Sequence, residues 1–563
     1  MNSEQQQLAT AIIQDCVACS NLTPEKLGAI KRKSLRQSPQ KMIDNHSLLQ
    51  WYRHLVKTGV VQKAEHVESA LQIHPIRSQS GIAVITLLTM PAGCPGRCSY
   101  CPTESRMPKS YVATEPAAAR ALTLQFDPYI QTENRITTLR HNAHSTDKIE
   151  LIIKGGTWSA YPKDYREWFI QQCFQAMNET GVMHRDIVNA NPSSQFNRFW
   201  GDEKDTWSMQ KLTAEQHINE TALNRCIGLT IETRPDWVTV EEIVHLRQLG
   251  CTRVELGLQT TDDEILKNIK RGHTAEQTAQ ATKLLKDAGF KVDHHLMPGL
   301  PGATPEKDLA VAKEVFASDH YQPDTIKLYP CVILPSTEIY TWYKEGRFIP
   351  YSTEILIRLL AEIKALVPPY MRVARVIRDF PSPEIAGGNL VTNLRETIQK
   401  TMKEQGLQCT CLRCREVGHV LSRSDLATHE WKPVLKIRSY AASGGMEYFL
   451  SYESDDEKIV YAFLRMRFPS PDAHILYEAL PEIAHAALIR ELHTYGSLVP
   501  IDTANLNASQ HRGLGKALLA EAEKIAREHS FKKIAVISGV GVRDYYKKQG
   551  YTLEGTYMVK ILK

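Results

Sequence analysis

The pattern of hydrophobic and polar positions changes twice along the chain. Residues 1 to about 75 carry apolar side chains at helical spacing, which predicts a small helical module. Its clearest apolar stripe consists of Leu48, Leu49, Tyr52, Leu55 and Val56. From Gly81 onward, short β-branched apolar runs alternate with helical stretches, as expected for parallel strands joined by helices. The candidate strands lie at residues 82–88, 149–153, 226–231, 253–258, 291–296 and 325–329.

About six strands with helices between them predict an α/β fold, a full or partial (β/α) barrel over residues 76–395. The active site of such a barrel lies at the carboxyl ends of its strands. Prolines and glycines near residues 381–388 interrupt the pattern, so we assign residues 396–430 to a connector. New strand signals, a Gly-rich turn and a helix then predict a separate α+β domain over residues 431–563.

Length and composition indicate an ordinary multidomain protein. A chain of 563 residues is too long for one hydrophobic core, and 42% hydrophobic with 23% charged residues is typical of globular proteins. The segment Met1–Gln7 lacks a signal-peptide pattern, and no apolar run approaches the ~18 residues that span a bilayer. We therefore expect a cytoplasmic protein with no membrane partner.

The distribution of charge singles out one basic segment near the N-terminus. A net charge of +5 is too small to indicate a nucleic-acid binder, but the segment 26–41 has no acidic residue. This segment forms either a solvated helix face or a surface that neutralises phosphates, and the charge run alone favours the solvated face. Its cations are Lys26, Lys31, Arg32, Lys33, Arg36 and Lys41.

The first of two cysteine clusters directly follows the first predicted barrel strand. With no secretory signal, the twelve cysteines are expected to be reduced thiols, several of which bind metal. Cys94, Cys98 and Cys101 have the spacing C-x3-C-x2-C. Structural zinc normally takes four ligands, whereas three cysteines on a [4Fe–4S] cluster leave one iron free to bind S-adenosylmethionine (SAM). A radical SAM site is the favoured interpretation, and structural zinc is the alternative.

Two later strand ends carry candidate SAM-binding residues. Gly155 and Gly156 follow the second predicted strand, where radical SAM enzymes place Gly-Gly-Glu, although Thr157 replaces that glutamate. Glu232 and Arg234 follow the third strand on the same expected rim, where they would hold the ribose and carboxylate of SAM. An ordinary tight turn and a surface ion pair are the respective alternatives.

The C-terminal domain contains a Q-x-x-G-x-G turn formed by Gln510, Gly513 and Gly515. An amphipathic helix follows it, and backbone N–H groups at such a helix start bind a pyrophosphate. This motif is typical of GNAT acetyltransferases that bind acetyl-CoA. Tyr545 and Tyr546 lie further along the chain, where that fold places a tyrosine near the thioester.

The second cysteine cluster lies in the connector. Cys409, Cys411 and Cys414 offer three thiols, which predicts a structural zinc unless the cysteines are incidental. The fourth ligand is open between His419 and a cysteine from elsewhere.

With these motifs in place, residues 76–563 resemble the family of radical SAM/acetyltransferase proteins that includes the catalytic subunit of Elongator. The resemblance lies in stretches such as Glu232–Asp236, Asn268–Thr274 and Ile537–Arg543. It implies a partial TIM-like radical SAM barrel followed by a GNAT domain. The short gap between Cys94 and Cys98 resembles the bacterial and archaeal form of the family, for which other Elongator subunits are not expected. The sequence leaves open whether the protein forms a homodimer.

The resemblance also implies an activity and its residues. A SAM-derived radical would abstract hydrogen from the methyl group of acetyl-CoA, and the carbon radical would add to C5 of the tRNA wobble uridine, leaving a carboxymethyl group. The basic N-terminal module would bind tRNA through Lys31, Arg32, Lys33 and Arg36, which reverses the solvated-face interpretation. Catalytic roles are implied for Lys148, Tyr545 and Tyr546. The implied acetyl-CoA contacts are Lys148, Glu491, Leu492, His493, Thr494, Leu514, Gly515, Lys516 and Tyr546.

Two other classes of function remain open from the sequence. A protein-lysine acetyltransferase would use the same C-terminal domain with a structural iron–sulfur domain. A non-catalytic tRNA-binding scaffold is disfavoured by the complete cysteine triad and the glycine-rich turn.

Overall fold

A computed structural model describes residues 1–20, 22–35, 42–73, 80–181, 209–421, 432–495 and 513–563. Arg36, Gln510 and the predicted boundaries at residues 75/76 and 430/431 lie outside these ranges. Among the helices of the described ranges, none is long and apolar enough to span a bilayer.

The N-terminal module is a cluster of four helices with its own apolar core, as predicted. A capping box begins the first helix, because the side chains of Asn2 and Gln5 bond reciprocally to each other's backbone N–H. The module contacts the barrel where Arg53 Nη1 donates to the carbonyl of Arg140 at 2.8 Å. The helices are α1 (Ser3–Ala18), α2 (Pro24–Leu35), α3 (Asn45–Lys57) and α4 (Glu65–Leu71).

The barrel is a sheet of seven parallel strands in the order of the chain. Among the described strand pairings none joins the last strand to the first, so the barrel is partial. The six predicted strands are all present, and β7 was missed. The strands are β1 (Ala83–Leu88), β2 (Lys148–Lys154), β3 (Arg225–Thr233), β4 (Arg253–Gln259), β5 (Lys291–Leu296), β6 (Thr325–Leu328) and β7 (Arg372–Arg375).

Helices cover the outer face of the barrel and bury the apolar side chains of the strands. Four helices begin with a threonine or serine whose hydroxyl accepts a backbone N–H: α9 after Thr239, α11 after Thr274, α12 after Thr304 and α14 after Ser352. The helices are α5 (Pro116–Thr123), α6 (Pro128–His141), α7 (Lys163–Glu179), α8 (Met209–Asn219), α9 (Val240–Gln248), α10 (Asp263–Asn268), α11 (Ala275–Asp287), α12 (Pro305–Ala317), α13 (Glu338–Lys344) and α14 (Thr353–Ala365).

The segment after β7 contains α15 (Leu394–Glu404), α16 (Leu412–Arg415) and α17 (Val417–Leu421). Leu394, Ile398 and Met402 of α15 pack into the same apolar cluster as α14. Part of the predicted connector therefore belongs physically to the barrel wall.

The C-terminal domain is a second seven-stranded sheet, ordered β13-β14-β12-β11-β10-β9-β8, with α18 (Leu514–Glu528) packed on it. The parallel strands β11 and β12 pair only from Ala487 to Ile489 of β11, so the rest of β11 continues without β12 beside it. The strands are β8 (Val434–Ala442), β9 (Gly445–Glu453), β10 (Val460–Phe468), β11 (Ala487–Thr494), β12 (Lys533–Val536), β13 (Thr552–Glu554) and β14 (Tyr557–Ile561), and α19 (Arg543–Lys547) precedes β13.

The C-terminal domain packs across the amino ends of the barrel strands. Tyr557 donates its hydroxyl to the carbonyl of Ala288 at 2.7 Å, and Arg467 lies 2.6 Å from Asp287 with its side chain fully buried. The carboxyl ends of the strands, on the other side of the barrel, carry the cysteine loop.

Candidate active site at the two ends of the barrel

A cavity of about 620 Å³ lies at the carboxyl ends of the barrel strands. Alternate residues of each strand face this lumen, as the period of a β-strand requires. The loop that follows β1 brings Cys94, Cys98 and Cys101 to the cavity wall. The structure therefore brings together the three cysteines that the sequence grouped.

The cysteine loop has an electropositive surrounding. Arg271 Nη1 lies 3.5 Å from Cys98 Sγ, and the backbone N–H of Gly96 lies 3.4 Å from Cys94 Sγ. Burial raises the pKa of the Cys101 thiol to about 11, so this thiol is protonated near neutral pH and would lose its proton on binding a metal. Donors that surround sulfur in this way stabilise the thiolates of an iron–sulfur cluster.

The loop geometry fits a [4Fe–4S] cluster. A Cβ atom on Gly96 would lie 2.5 Å from Arg234 Nη1 and 3.6 Å from both Cys94 Sγ and Cys98 Sγ, so glycine keeps this space open. Arg234 Nη1 is buried and has no hydrogen-bond partner, which leaves a donor directed at the same space. These three sulfurs do not form a group within 4.8 Å of one another, whereas Cys409, Cys411 and Cys414 do. Widely spaced sulfurs suit a four-iron cluster, whereas a single metal ion needs ligand sulfurs that lie closer together.

The predicted SAM residues surround this cavity. Gly155 and Gly156 have φ values of +144° and +89°, which favour glycine, and Thr157 Oγ1 lies 3.6 Å from Cys94 Sγ. Arg234 is paired bidentately with Asp236 at 2.9 and 2.8 Å; the arginine is buried, whereas Asp236 is exposed. Contact of these residues with SAM stays a prediction.

Below the cysteines the lumen contains a buried network of charges that the sequence analysis missed. The Glu255 carboxylate is paired with the ammonium groups of Lys154 and Lys327 and accepts from His295 Nε2 at 3.0 Å. Burial raises the pKa of Glu255, but these cations outweigh it and hold the pKa well below its usual range. Lys154 also lies 3.1 Å from Glu232. The signal in the sequence that could have revealed this network is the presence of charged residues within otherwise apolar strands.

Glu232, Glu255 and His295 form a group whose size would suit a metal ion. The Lys154 ammonium, however, pairs with both carboxylates and supplies the positive charge that a divalent ion would bring. We therefore interpret this group as an ion-pair network.

A second cavity of about 310 Å³ lies at the amino ends of the strands, against β10 and β11 of the C-terminal domain. The predicted acetyl-CoA residues Glu491, Leu492, His493 and Tyr546 line it. Because β12 leaves β11 after Ile489, the edge of β11 from Arg490 onward faces this cavity. No described strand pairs with this edge beyond Ile489, and a strand edge of this kind offers backbone groups to the amides of a pantetheine arm.

The described part of the glycine-rich turn begins at Gly513. Gly513 has φ +77° and is the N-cap of α18, and no side chain of this residue caps the first backbone N–H groups of the helix, which is the arrangement that binds a pyrophosphate. A Cβ atom on Gly515 would lie 3.1 Å from Tyr545 Oη and 3.6 Å from Thr494 Oγ1, which places these three residues together. Leu514 is buried, and Lys516 is exposed in the first turn.

Glu491 is held ionised by both domains. Burial raises the pKa of its carboxyl, but Lys291, Arg465 and Arg253 outweigh burial and lower the pKa to about 2. Arg465 Nε lies 2.9 Å from the carboxylate, while Lys291 and Arg253 of the barrel lie 3.7 and 3.9 Å from it. The cavity at the amino ends of the strands is thus shared between the domains.

Lys148, predicted in both catalytic and CoA-binding roles, begins β2 at the amino end of the barrel. It lies two residues before Glu150, which lines the smaller cavity, so both side chains share the lumen face. Burial lowers the pKa of its ammonium group.

The second cysteine group is compact, and its chemistry fits zinc. The hydrogen bonds from Cys409 and Cys414 lower the pKa of Cys411 well below its usual range, and Lys364 Nζ lies 3.9 Å from Cys414 Sγ. Within the described part of the chain the group holds three sulfurs, without His419, which lines the smaller cavity. The fourth zinc ligand therefore stays unidentified.

The predicted tRNA-binding cations differ in exposure. Arg32 and Lys33 are exposed on α2. The prediction for Lys31 is wrong: only 7% of this residue is exposed, and its ammonium group donates to Asn45 Oδ1 at 2.8 Å inside the helical module. The helix spacing turns Lys31 inward, which a charge run alone does not reveal.

Comparisons with known proteins agree with this architecture. Residues 187–315 match the Radical SAM superfamily and residues 323–404 match the Radical_SAM C-terminal domain. A solved structure titled as the archaeal Methanocaldococcus infernus Elp3 with an N-terminal deletion superposes with a TM-score of 0.69 at 38% identity, over 86% of this chain and 100% of that one.

Two relatives extend the likeness over nearly the whole chain. The tRNA uridine(34) acetyltransferase of Methanocaldococcus infernus is 42% identical over 90% of this chain and 91% of its own. Elongator complex protein 3 of Homo sapiens is 39% identical over 88% of this chain and 86% of its own. The chain therefore belongs to the radical SAM family of tRNA uridine(34) acetyltransferases and Elongator complex protein 3.

Proposed function

We propose that this protein forms the carboxymethyl group at C5 of the tRNA wobble uridine, with acetyl-CoA as the source of its two carbons. One observation carries the proposal: a single barrel has the cysteine cavity at the carboxyl ends of its strands and, at their amino ends, a cavity lined by residues predicted to bind acetyl-CoA. The relatives' name, tRNA uridine(34) acetyltransferase, identifies the acceptor base.

At the carboxyl end, the residues of this chain bind and shield the radical chemistry. Cys94, Cys98 and Cys101 would hold the [4Fe–4S] cluster, which with SAM supplies a 5′-deoxyadenosyl radical that removes one hydrogen atom from a carbon. Arg271 and Arg234 would stabilise the thiolates by their positive charge. The walls of the cavity exclude bulk water, which otherwise competes for reactive intermediates.

At the amino end, the residues orient acetyl-CoA. The start of α18 would bind the pyrophosphate, and the free edge of β11 the pantetheine. Tyr546 is buried and burial raises its pKa, so its hydroxyl is a neutral donor at physiological pH. We assign it to the thioester carbonyl, with Tyr545 beside it, 5.2 Å away between ring centroids. The exposed Arg32 and Lys33 would bind tRNA phosphates in the cytoplasm.

The test is anaerobic incubation of the cluster-loaded protein with tRNA, acetyl-CoA, SAM and a one-electron reductant. Mass spectrometry of the nucleosides is expected to detect 5-carboxymethyluridine, and Cys98→Ala is expected to abolish it. A protein-lysine acetyltransferase would instead produce acetyl-lysine at the same rate in wild type and in Cys98→Ala. Absence of any modified uridine from protein with a full cluster would refute the proposal.

A further inference from the structure

The two cavities meet inside the barrel. Val84 of β1, Arg253 of β4 and Ala374 of β7 line both the cavity on the cysteine side and the cavity against the C-terminal domain. On β1 the lining residues alternate through Ile82, Val84, Thr86 and Leu88, which is the spacing of one lumen-facing row. The cavities are therefore two ends of one lumen.

The lumen is open at the level where the cavities join. Val84 is 37% exposed although it lies within a barrel strand, while its neighbours Ala83 and Ile85 are 1% and 0% exposed. In a closed barrel, layers of branched side chains fill this space and bury one another. The exposed valine marks a section of the lumen that side chains do not fill.

A loosely paired set of charges borders the same section. Arg253 Nε and Asp293 Oδ1 are buried and lie 3.8 Å apart, an ion pair too long for a hydrogen bond, so neither atom has a hydrogen-bond partner among the described residues. The Arg253 guanidinium lies 2.7 Å from Glu150 in the barrel and 3.9 Å from Glu491 in the C-terminal domain. Buried donors and acceptors left open in this way suit a polar guest, such as an amide, a carbonyl or water.

We propose that the acyl end of acetyl-CoA enters the barrel from the amino ends of the strands and passes Val84, Arg253 and Ala374 to reach the radical chemistry. This inference rests on the proposed function. Hydrogen-atom transfer requires reacting atoms within about 3.5 Å, whereas the six residues of β1 separate the two ends by roughly 20 Å. A thin pantetheine arm along the lumen spans that distance inside the protein.

The passage would bring the acetyl methyl group to the radical. With a bound cluster, one electron from a reductant would cleave SAM to methionine and the 5′-deoxyadenosyl radical, and a hydrogen atom would move from the acetyl methyl group to the 5′ carbon, giving 5′-deoxyadenosine and a carbon radical on the thioester. Arg253 is a positioning residue in this scheme, since its guanidinium lies at the narrow junction and its neighbours come from both domains.

Obstructing the lumen tests the passage. Val84→Trp fills the junction, and Val434→Trp is a matched control, because Val434 is 38% exposed and lies on β8, the last strand in the order of the C-terminal sheet. With trideuteroacetyl-CoA, wild type and Val434→Trp are expected to place deuterium in 5′-deoxyadenosine. Val84→Trp is expected to lose this transfer at least tenfold while it keeps its iron absorbance. Equal deuterium transfer in both tryptophan variants overturns the proposal.

A second measurement needs no cluster. In protein without iron or SAM, Val84→Cys is treated with a small thiol reagent, and its modification is quantified by peptide mass spectrometry. Acetyl-CoA is expected to slow modification of Val84→Cys and to leave Val434→Cys unaffected; equal rates with and without acetyl-CoA overturn the passage. If Val84→Trp does not fold, Ala374→Phe obstructs the lumen from β7. Failure of the proposed function would give a different result from failure of the passage. In that case wild type would form no carboxymethyluridine, while acetyl-CoA would still protect Val84→Cys from the thiol reagent.

Discussion

Arg490 of β11 forms a bidentate ion pair with Asp324, the residue before β6, at 2.6 and 2.8 Å. The two side chains are 0% and 2% exposed, and Arg490 also bonds Glu447 at 2.9 Å. The pair joins the C-terminal domain to the amino end of the barrel, directly beside the acetyl-CoA cavity. It therefore fixes the register between the two halves of the site.

Removal of one partner from this pair is expected to destabilise the protein strongly. Arg490→Met leaves Asp324 and Glu447 buried without their main cation, and such changes cost about 3–5 kcal/mol of unfolding free energy. Arg347→Met is the control, since its pair with Glu345 is 58% and 50% exposed, and it is expected to cost less than about 1 kcal/mol. Urea denaturation measures both. A cost for Arg490→Met no larger than the control would contradict the interdomain role.

The sequence predicted β1 to β6 because each contains β-branched or apolar residues in a stretch that stands between helical segments. β7 is no shorter than β6, but Arg372–Arg375 has arginine at both ends, so no apolar run marks it. The cysteine loop could be predicted because its ligands are close together in the chain. The Glu255 network could not be assembled from the sequence, because its members come from different strands and only the barrel brings them together.

Lys31 illustrates a related limit. Its charge and its neighbours predict an exposed phosphate-binding side chain, but the packing of α2 turns it toward Asn45. Exposure depends on which face of the helix meets the module core, and the basic run extends around more than one face.

The two cysteine groups are expected to bind different metals. Cys98→Ala should remove iron and leave zinc, while Cys411→Ser should remove zinc and leave iron, because the first group is widely spaced and the second is compact. Elemental analysis of purified protein measures both metals. Cys173→Ala, at a buried position in α7, is the control and should keep both. If Cys98→Ala and Cys411→Ser lost the same metal, the assignment of different metals to the two cysteine groups would be wrong.

Gly96 is expected to be essential for iron binding. A methyl group at this position occupies the space beside Arg234 Nη1 and the sulfurs of Cys94 and Cys98, so Gly96→Ala should lower the iron content severalfold. Gly93→Ala is a matched control in the same loop, since a Cβ atom there meets nothing within 4 Å. Iron-to-protein ratios and the visible absorbance of the cluster measure the effect. A full cluster in Gly96→Ala would exclude this tight cradle.

The Asp293 carboxyl is expected to make the free energy of unfolding depend on pH. Burial raises the pKa of its carboxyl to about 6 in the folded protein, although Arg253 opposes the shift, while an unfolded chain has a value of about 3.9. The unfolded state therefore loses its proton first as pH rises, and the free energy of unfolding falls between about pH 4 and pH 6. Asp293→Asn removes this titration. It should be more stable than wild type above about pH 6, by about 1–3 kcal/mol from a shift of two pKa units, and this advantage should vanish below about pH 4. Urea denaturation at pH 4.5, 6 and 8 measures the difference, and an advantage that grows as pH falls would contradict the assignment.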